Sequence, residues 1–244
     1  GKDYGVIEIG PGFGVLTKFL LEKAGKVVSI EIDTRLKEVL GYTLSEYDNF
    51  EFVQSDALKI DLKKLIEEKF TQKKIVVVAN LPYYISTPII MKLLENRLDI
   101  DEIIVMVQKE VAERLTAKTG TRLAGAITYA VEYYSDATSI IKVPKESFVP
   151  SPKVESEVIK LKVRKGKKIQ VKDEKLLFNI ISKSFMQRRK TLSNVLTNNN
   201  IMHSKEDVKN MWKELEIDEN VRGESLTLEQ FGKIADYILS LIHI

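Results

Sequence analysis

Apolar residues fall in short blocks through the first two thirds of the chain and at helical spacing after that. Tyr4 to Ile9, Lys26 to Ile30, Phe50 to Gln54, Ile75 to Ala79 and Ile103 to Val107 are blocks of strand length. Continuous runs of this kind, bounded by charged or turn residues, are the pattern of parallel strands covered on both faces. The intervening segments predict helices over Val15 to Lys23, after Asp33 (which reads as an N-cap), and over Lys64 to Phe70, Thr87 to Asn96, Lys109 to Lys118 and Ala124 to Tyr134. Ser139 to Val143 and Val154 to Val163 read as a closing strand pair, giving seven strands. The segment Pro144 to Lys153 joins them, and its three prolines predict a stiff, extended loop. Strands alternating with helices make an open, mostly parallel α/β sheet. Beyond Arg164-Lys165-Gly166-Lys167-Lys168 the periodicity is helical only, over Lys175 to Ser184, Arg188 to Leu196, Lys205 to Leu215 and Leu228 to Leu241. Residues 1–166 are therefore expected to form an α/β domain and 167–244 a small all-α domain.

Composition narrows the chemistry. The 244 residues are 44% hydrophobic and 30% charged, the balance of a globular protein with ample core. No apolar run approaches the roughly 18 residues of a membrane span. Cysteine is absent, which excludes disulfides, thiol nucleophiles and cysteine metal sites. Neither His203 nor His243 has a ligand-like neighbour, and no metal site is expected; His243 reads as a packing or fraying residue. No signal peptide is visible. The chain opens on Gly1-Lys2-Asp3 and enters a strand at once, without an initiator Met, so a preceding segment is expected to be missing. Net charge is only +3, yet Lys160 to Lys190 holds twelve basic and two acidic residues, a local net of +10. Such asymmetry fits a footprint for a polyanion, or a solvated lysine-rich face.

Candidate chemistry falls at the carboxyl ends of the expected strands, where open α/β sheets bind ligands. Asn80-Leu81-Pro82-Tyr83 follows the fourth strand. Pro82 stiffens the turn, which offers an amide oxygen, a backbone carbonyl and an aromatic face. That set suits a planar amine, although alone it is equally an ordinary strand-to-loop turn. Gly10-Pro11-Gly12-Phe13-Gly14 lies between the first strand and helix, as in nucleotide-binding loops. Val15 breaks the dinucleotide spacing, so NAD is a poor fit. Glu31 ends the second strand and can accept ribose hydroxyls. Asp56 follows the third, placed to accept an adenine amine or simply to build a turn. Phe148, in the proline-rich loop, is a second wall for a flat ligand or a core anchor.

Glu8-Ile9-Gly10-Pro11-Gly12-Phe13-Gly14-Val15-Leu16-Thr17, Glu31-Ile32-Asp33, Ser55-Asp56-Ala57, Asn80-Leu81-Pro82-Tyr83 and Phe148-Val149-Pro150-Ser151-Pro152-Lys153-Val154 together resemble the ribosomal RNA adenine N6-dimethyltransferases. Gln108 to Arg114 and Phe185-Met186-Gln187-Arg188-Arg189-Lys190-Thr191-Leu192 are similar to the small-subunit, KsgA-type branch. The resemblance runs over nearly the whole chain. It implies a class I, Rossmann-like methyltransferase fold with a helical RNA-binding domain. It implies S-adenosylmethionine (SAM) held by Glu8, Gly10, Gly12, Gly14, Glu31, Ile32, Asp56, Ala57 and Asn80, leaving as S-adenosylhomocysteine. Asn80, Leu81, Pro82, Tyr83 and Phe148 would then handle the target adenine, and Arg188, Arg189 and Lys190 the RNA. The expected product is N6,N6-dimethyladenosine at two adjacent adenosines in the 3′-terminal hairpin of small-subunit rRNA, made in the cytoplasm by a monomer with no membrane partner. The family's Gln-Asn-Phe-Leu-type segment ahead of the first strand is absent, and Ala124-Gly125 stands where the family usually has Tyr-Gly. The competing readings are an erythromycin-resistance-type enzyme acting on large-subunit rRNA, a DNA adenine methyltransferase, a small-molecule methyltransferase and a non-catalytic assembly factor. The Arg-Arg-Lys-Thr-Leu segment speaks against the first, the lack of a target-recognition domain against the second, and the basic segment against the third.

Overall fold

A computed structural model describes residues 1–242, of Ile242 the backbone only; His243 lies outside the described residues. The first half alternates β1 (Tyr4–Ile9), α1 (Val15–Lys23), β2 (Lys26–Glu31), α2 (Leu36–Thr43), β3 (Phe50–Gln54), α3 (Leu62–Lys69), β4 (Lys74–Asn80), α4 (Ser86–Glu95) and β5 (Glu102–Gln108). Helices α5 (Lys109–Thr116) and α6 (Ala126–Tyr134) follow, then β6 (Ser135–Val143) and β7 (Ser156–Val163). The remainder is α7 (Glu174–Met186), α8 (Leu192–Asn198), α9 (Lys205–Leu215) and α10 (Leu228–Ile242).

The seven strands form one sheet in the order β3-β2-β1-β4-β5-β7-β6. Strands β1 to β5 pair in parallel, while β7 runs antiparallel to both β5 and β6. Val27, Val28, Ile7, Val77, Ile103 and Val105 are fully buried, as continuous apolar strands require. On one face Val6, Val27, Leu21, Ala24, Leu40 and Leu44 form a core cluster that anchors α1 and α2.

Contacts divide the chain into two compact units, residues 1–112 with 135–164, and residues 113–134 with 165–244. The sequence placed a single boundary at 166. The additional excursion has a physical cause in α6, which is apolar nearly all round and so must be enclosed. In the second unit Tyr129 meets Phe231 edge-on at 5.2 Å and Phe185 at 5.3 Å, and Tyr133 meets Phe178 at 5.3 Å. The Tyr129 hydroxyl donates to the Leu226 carbonyl at 2.6 Å, and burial pushes its pKa up to about 12.

Several local expectations are corrected. Asp33 is not the N-cap of α2; its carboxylate accepts from Arg35 N at 3.0 Å, closing a turn before the helix starts at Leu36. No helix starts at Arg188: α7 ends at Met186, and Thr191 caps α8 by accepting from Asn194 N. Strand β6 starts at Ser135, directly after α6, because Ser135 pairs with Val163. The Pro144 to Lys153 loop is not fully extended. A 3-10 turn occupies Lys145–Ser147, and Ser151 Oγ donates back to the Lys145 carbonyl at 2.9 Å.

Candidate active site

Strand register collects the candidate residues. Ile9 pairs with Ile30 on one side and Ala79 on the other, so Gly10, Glu31 and Asn80 leave the sheet side by side. Glu31 pairs with Gln54, which brings Ser55 and Asp56 alongside. A Cβ on Gly10 would lie 3.8 Å from the Asn80 carbonyl oxygen, so the glycine turn passes close to the end of β4.

The glycine turn needs its glycines. Gly10, Gly12 and Gly14 have φ of 73°, 56° and 83°, a region that residues with a Cβ rarely adopt. At Gly14 a Cβ would also come within 2.8 Å of a Leu40 methyl, whereas at Gly12 it would meet nothing within 4 Å. Gly12 therefore presents bare backbone to open space. Gly14 begins α1 without a side-chain cap, leaving first-turn N–H groups available to a carboxylate. Glu8 lies beneath this turn and is 1% exposed. Its Oε2 accepts from Thr17 Oγ1 and Ser29 Oγ, each at 2.7 Å. Burial pushes the carboxyl pKa up, against the two hydroxyl bonds that pull it down. Glu8 thus braces α1 and β2 against β1.

Glu31 is half-buried, and its Oε1 accepts from the backbone of Ile32 at 2.8 Å and Asp33 at 2.9 Å. Those bonds orient the carboxylate and leave Oε2 for a ligand hydroxyl. Ile32 is an exposed apolar side chain beside it. Asp56 builds a turn, accepting from Leu58 N at 2.9 Å. The next residue is held from outside: Lys92 Nζ, on α4, donates to the carbonyls of Ala57 at 3.0 Å and Ile60 at 2.6 Å. Burial pushes the Lys92 pKa down, opposed by Asp56 and Asp61.

On the other side of the sheet centre, Asn80 is exposed at the end of β4 and the Leu81 side chain is buried. The Pro82 carbonyl accepts from Ile85 N, and the Tyr83 carbonyl from Ser86 Oγ, both at 3.2 Å. Neither bond uses the Leu81 carbonyl. Tyr83 is 38% exposed, and its hydroxyl lies 3.1 Å from Ser156 Oγ at the start of β7. Phe148 is half-buried in the loop that precedes Ser156.

In the second unit, Arg189 and Lys190 are exposed beside a hollow of 430 Å³ lined by Phe185 to Lys190. Arg188 is exposed too, but it has partners within the unit. Its guanidinium bonds Glu224 and the carbonyls of Arg122 and Ala124, and lies 5.6 Å over the Phe185 ring. The basic stretch is also partly neutralised. Lys160, Arg164, Lys167, Lys168 and Arg188 pair with Glu102, Asp136, Glu174, Glu132 and Glu224.

Residues 2–240 match the family described as ribosomal RNA adenine dimethylase. The chain belongs to that family. Among relatives of this family member, the ribosomal RNA small subunit methyltransferase A of Alkaliphilus metalliredigens is 48% identical over 229 residues, covering 94% of this chain and 80% of that protein. The protein of the same name from Geobacillus sp. is 48% identical over 235 residues, covering 95% and 81%. A solved dimethyladenosine transferase from Plasmodium falciparum superposes with a TM-score of 0.76 at 29% identity, covering 98% of this dimethylase-family chain and 90% of that one. The 23S rRNA methyltransferase ErmE superposes with a TM-score of 0.69 at 22% identity, covering 97% and 91%, a likeness of fold. The architecture is that of the class I methyltransferases.

Sequence reasoning missed Thr17, Ser29, Lys92 and Ser156. Ser29 carried a signal, as the lone polar side chain inside the buried run of β2. The others tie positions far apart in the chain, and no local pattern marks them. Among the described residues no group of three or more His, Cys, Asp and Glu is placed to hold a metal, and no helix is long and apolar enough to cross a membrane.

Proposed function

We propose that this dimethylase-family enzyme converts two adjacent adenosines in the 3′-terminal hairpin of small-subunit rRNA to N6,N6-dimethyladenosine, acting in the cytoplasm as a monomer. The observation that carries the site assignment is the meeting of Gly10, Glu31 and Asn80 at one sheet edge.

The residues present fit SAM. Bare backbone at Gly12 and the uncapped start of α1 suit its amino-acid end. The oriented Glu31 carboxylate suits ribose hydroxyls, with Ile32 against the base and the Asp56-Ala57 turn at the adenine edge. SAM supplies a methyl group already activated on a sulfonium. The protein's task is therefore positioning. An adenine amine is a weak nucleophile because its lone pair is delocalised into the ring. The Asn80 amide oxygen and the Leu81 carbonyl accept its two N–H bonds and favour a more tetrahedral nitrogen, whose lone pair they aim. The proton becomes acidic only as the new bond forms, so no strong base is required. Tyr83 and Phe148 offer ring faces to a base that has left its stack. Such stacking is worth roughly 1–3 kcal/mol per base. In the second round N6-methyladenosine has one N–H, and one acceptor suffices.

RNA is held by shape and phosphate rather than by base sequence, with Arg189 and Lys190 as contacts. Arg188, exposed beside them, is held by Glu224 and the carbonyls of Arg122 and Ala124. Reversing Arg189 and Lys190 to Glu should weaken RNA binding and lower its salt dependence by about one or two phosphate contacts, with the SAM dissociation constant unchanged. Equal loss of both affinities overturns the division of roles. The deciding experiment supplies labelled SAM with small-subunit particles, large-subunit RNA or duplex DNA, followed by nucleoside analysis. Dimethyladenosine on small-subunit RNA alone is expected; label on large-subunit RNA or DNA, or none at all, overturns the proposal.

A further inference from the structure

Tyr83 is tied at both ends, by Ser86 at its carbonyl and by Ser156 at its hydroxyl. The second tie holds the tip of a residue that is 38% exposed. Ser156 itself cannot move freely. It is 1% exposed, and its backbone sits in the sheet between Gln108 of β5 and Val143 of β6. Next to it Glu155 is held to Lys109 twice, through Lys109 N to the Glu155 carbonyl at 3.0 Å and through Nζ to the carboxylate at 2.9 Å. A buried hydroxyl needs a partner, and Tyr83 supplies it. An exposed aromatic on a turn would otherwise sample several side-chain rotamers.

We infer that Ser156 is a positioning residue for methyl transfer: its hydroxyl fixes the Tyr83 ring, so that the stacking face is set before the adenine arrives. The tie also registers the Asn80–Tyr83 turn on the strand that leaves the Phe148 loop. Preorganisation of this kind removes an ordering cost from the step in which the base is seated. The inference rests on the methylation reading of this site, and its test has one readout that does not.

That readout is the NMR spectrum of the protein with 13C-labelled tyrosine, without ligand. Tyr83→Phe removes one of nine ring signals and so assigns it. Ser156→Ala is expected to shift and average that signal and to leave the other eight in place. An unmoved Tyr83 signal overturns the inference, whatever the enzyme methylates. In single-turnover methylation of small-subunit particles, Tyr83→Phe and Ser156→Ala should each slow the reaction by about 3- to 10-fold, the effect of one neutral hydrogen bond. The double variant should be no slower than either single one, because both remove the same bond. SAM affinity and melting temperature should stay unchanged. Additive losses, or a fall in melting temperature without a change in rate, would mean that Ser156 serves only the sheet. Absence of dimethyladenosine from the wild-type reaction would count against the proposed function and leave the NMR result to decide the tie.

Discussion

The ends of β1 to β3 and the end of β4 with the Phe148 loop belong to one sheet edge, but they are constructed differently. On the first side the polar groups are enclosed: Glu8, Thr17 and Ser29 are at most 1% exposed, and their bonds bind α1, β1 and β2 together. Glu31 is oriented by two backbone N–H groups, and the Ala57 turn is clamped by Lys92. On the second side Asn80 and Tyr83 stand in solvent, and Val149 is fully exposed. A small ligand can be received by a finished pocket. A base carried on a folded RNA must swing in from outside, and its side of the site has to stay open until it does. On the proposed reading, the cofactor side is shaped by the protein alone and the base side is completed by the substrate.

The largest effect should separate the two sides cleanly. Asn80→Ala removes the proposed amine acceptor and is expected to lower the single-turnover rate by about 10²- to 10³-fold, as loss of a transition-state hydrogen bond does elsewhere. The Asn80 backbone borders the glycine turn, so calorimetric titration of SAM is the sharp control: a loss beyond about threefold, the scale of one weak hydrogen bond, would merge the two sides. Glu31→Ala is the mirror experiment. It should weaken SAM binding by about 10- to 100-fold, for a hydrogen bond to a charged group, and leave RNA affinity alone. Lys92→Met cuts the tie between α4 and the Ala57 turn. A rise of about threefold in the SAM dissociation constant is expected, a fraction of a direct contact; a larger fall in rate than in affinity would mean that α4 serves the base side instead.

The smallest effect concerns pH. Glu8 holds its proton more readily in the folded chain than in the unfolded one, because burial dominates. Such a group stabilises the fold in acid and loses that contribution as pH rises through its raised pKa. The melting temperature of the wild type minus that of Glu8→Gln should therefore fall as pH rises above the ordinary glutamate range. A flat or rising difference would place the charge of Glu8 in a more polar setting than its burial implies.

Local chemistry made much of this legible in the sequence. The apolar runs located β1 to β5, and the glycine turn set the start of α1 at Val15. Asn80, Glu31 and Gly10 could be placed at strand ends, and register then brought them together. What stayed hidden was set by partners distant along the chain. Nothing near Ser135 marks the start of β6 four residues ahead of Ser139; pairing of Ser135 with Val163 sets it. Nothing near Arg188 shows that Glu224 and two carbonyls take up its guanidinium. The positive count from Lys160 to Lys190 was real, but acids from other elements answer part of it.

The chain passes between its two units three times, at 112, 134 and 164, rather than once. That constrains how such proteins can exchange parts by recombination. A single crossover at residue 164 would bring one parent's α6 together with the other parent's α7 and α10. Tyr129 would then face a foreign Phe185, Phe231 and Leu226 carbonyl. Exchange of the helical unit as an inherited block needs residues 113–134 and 165–244 to travel together, so α6 should follow the ancestry of the carboxyl-terminal helices rather than that of the sheet into which its chain leads.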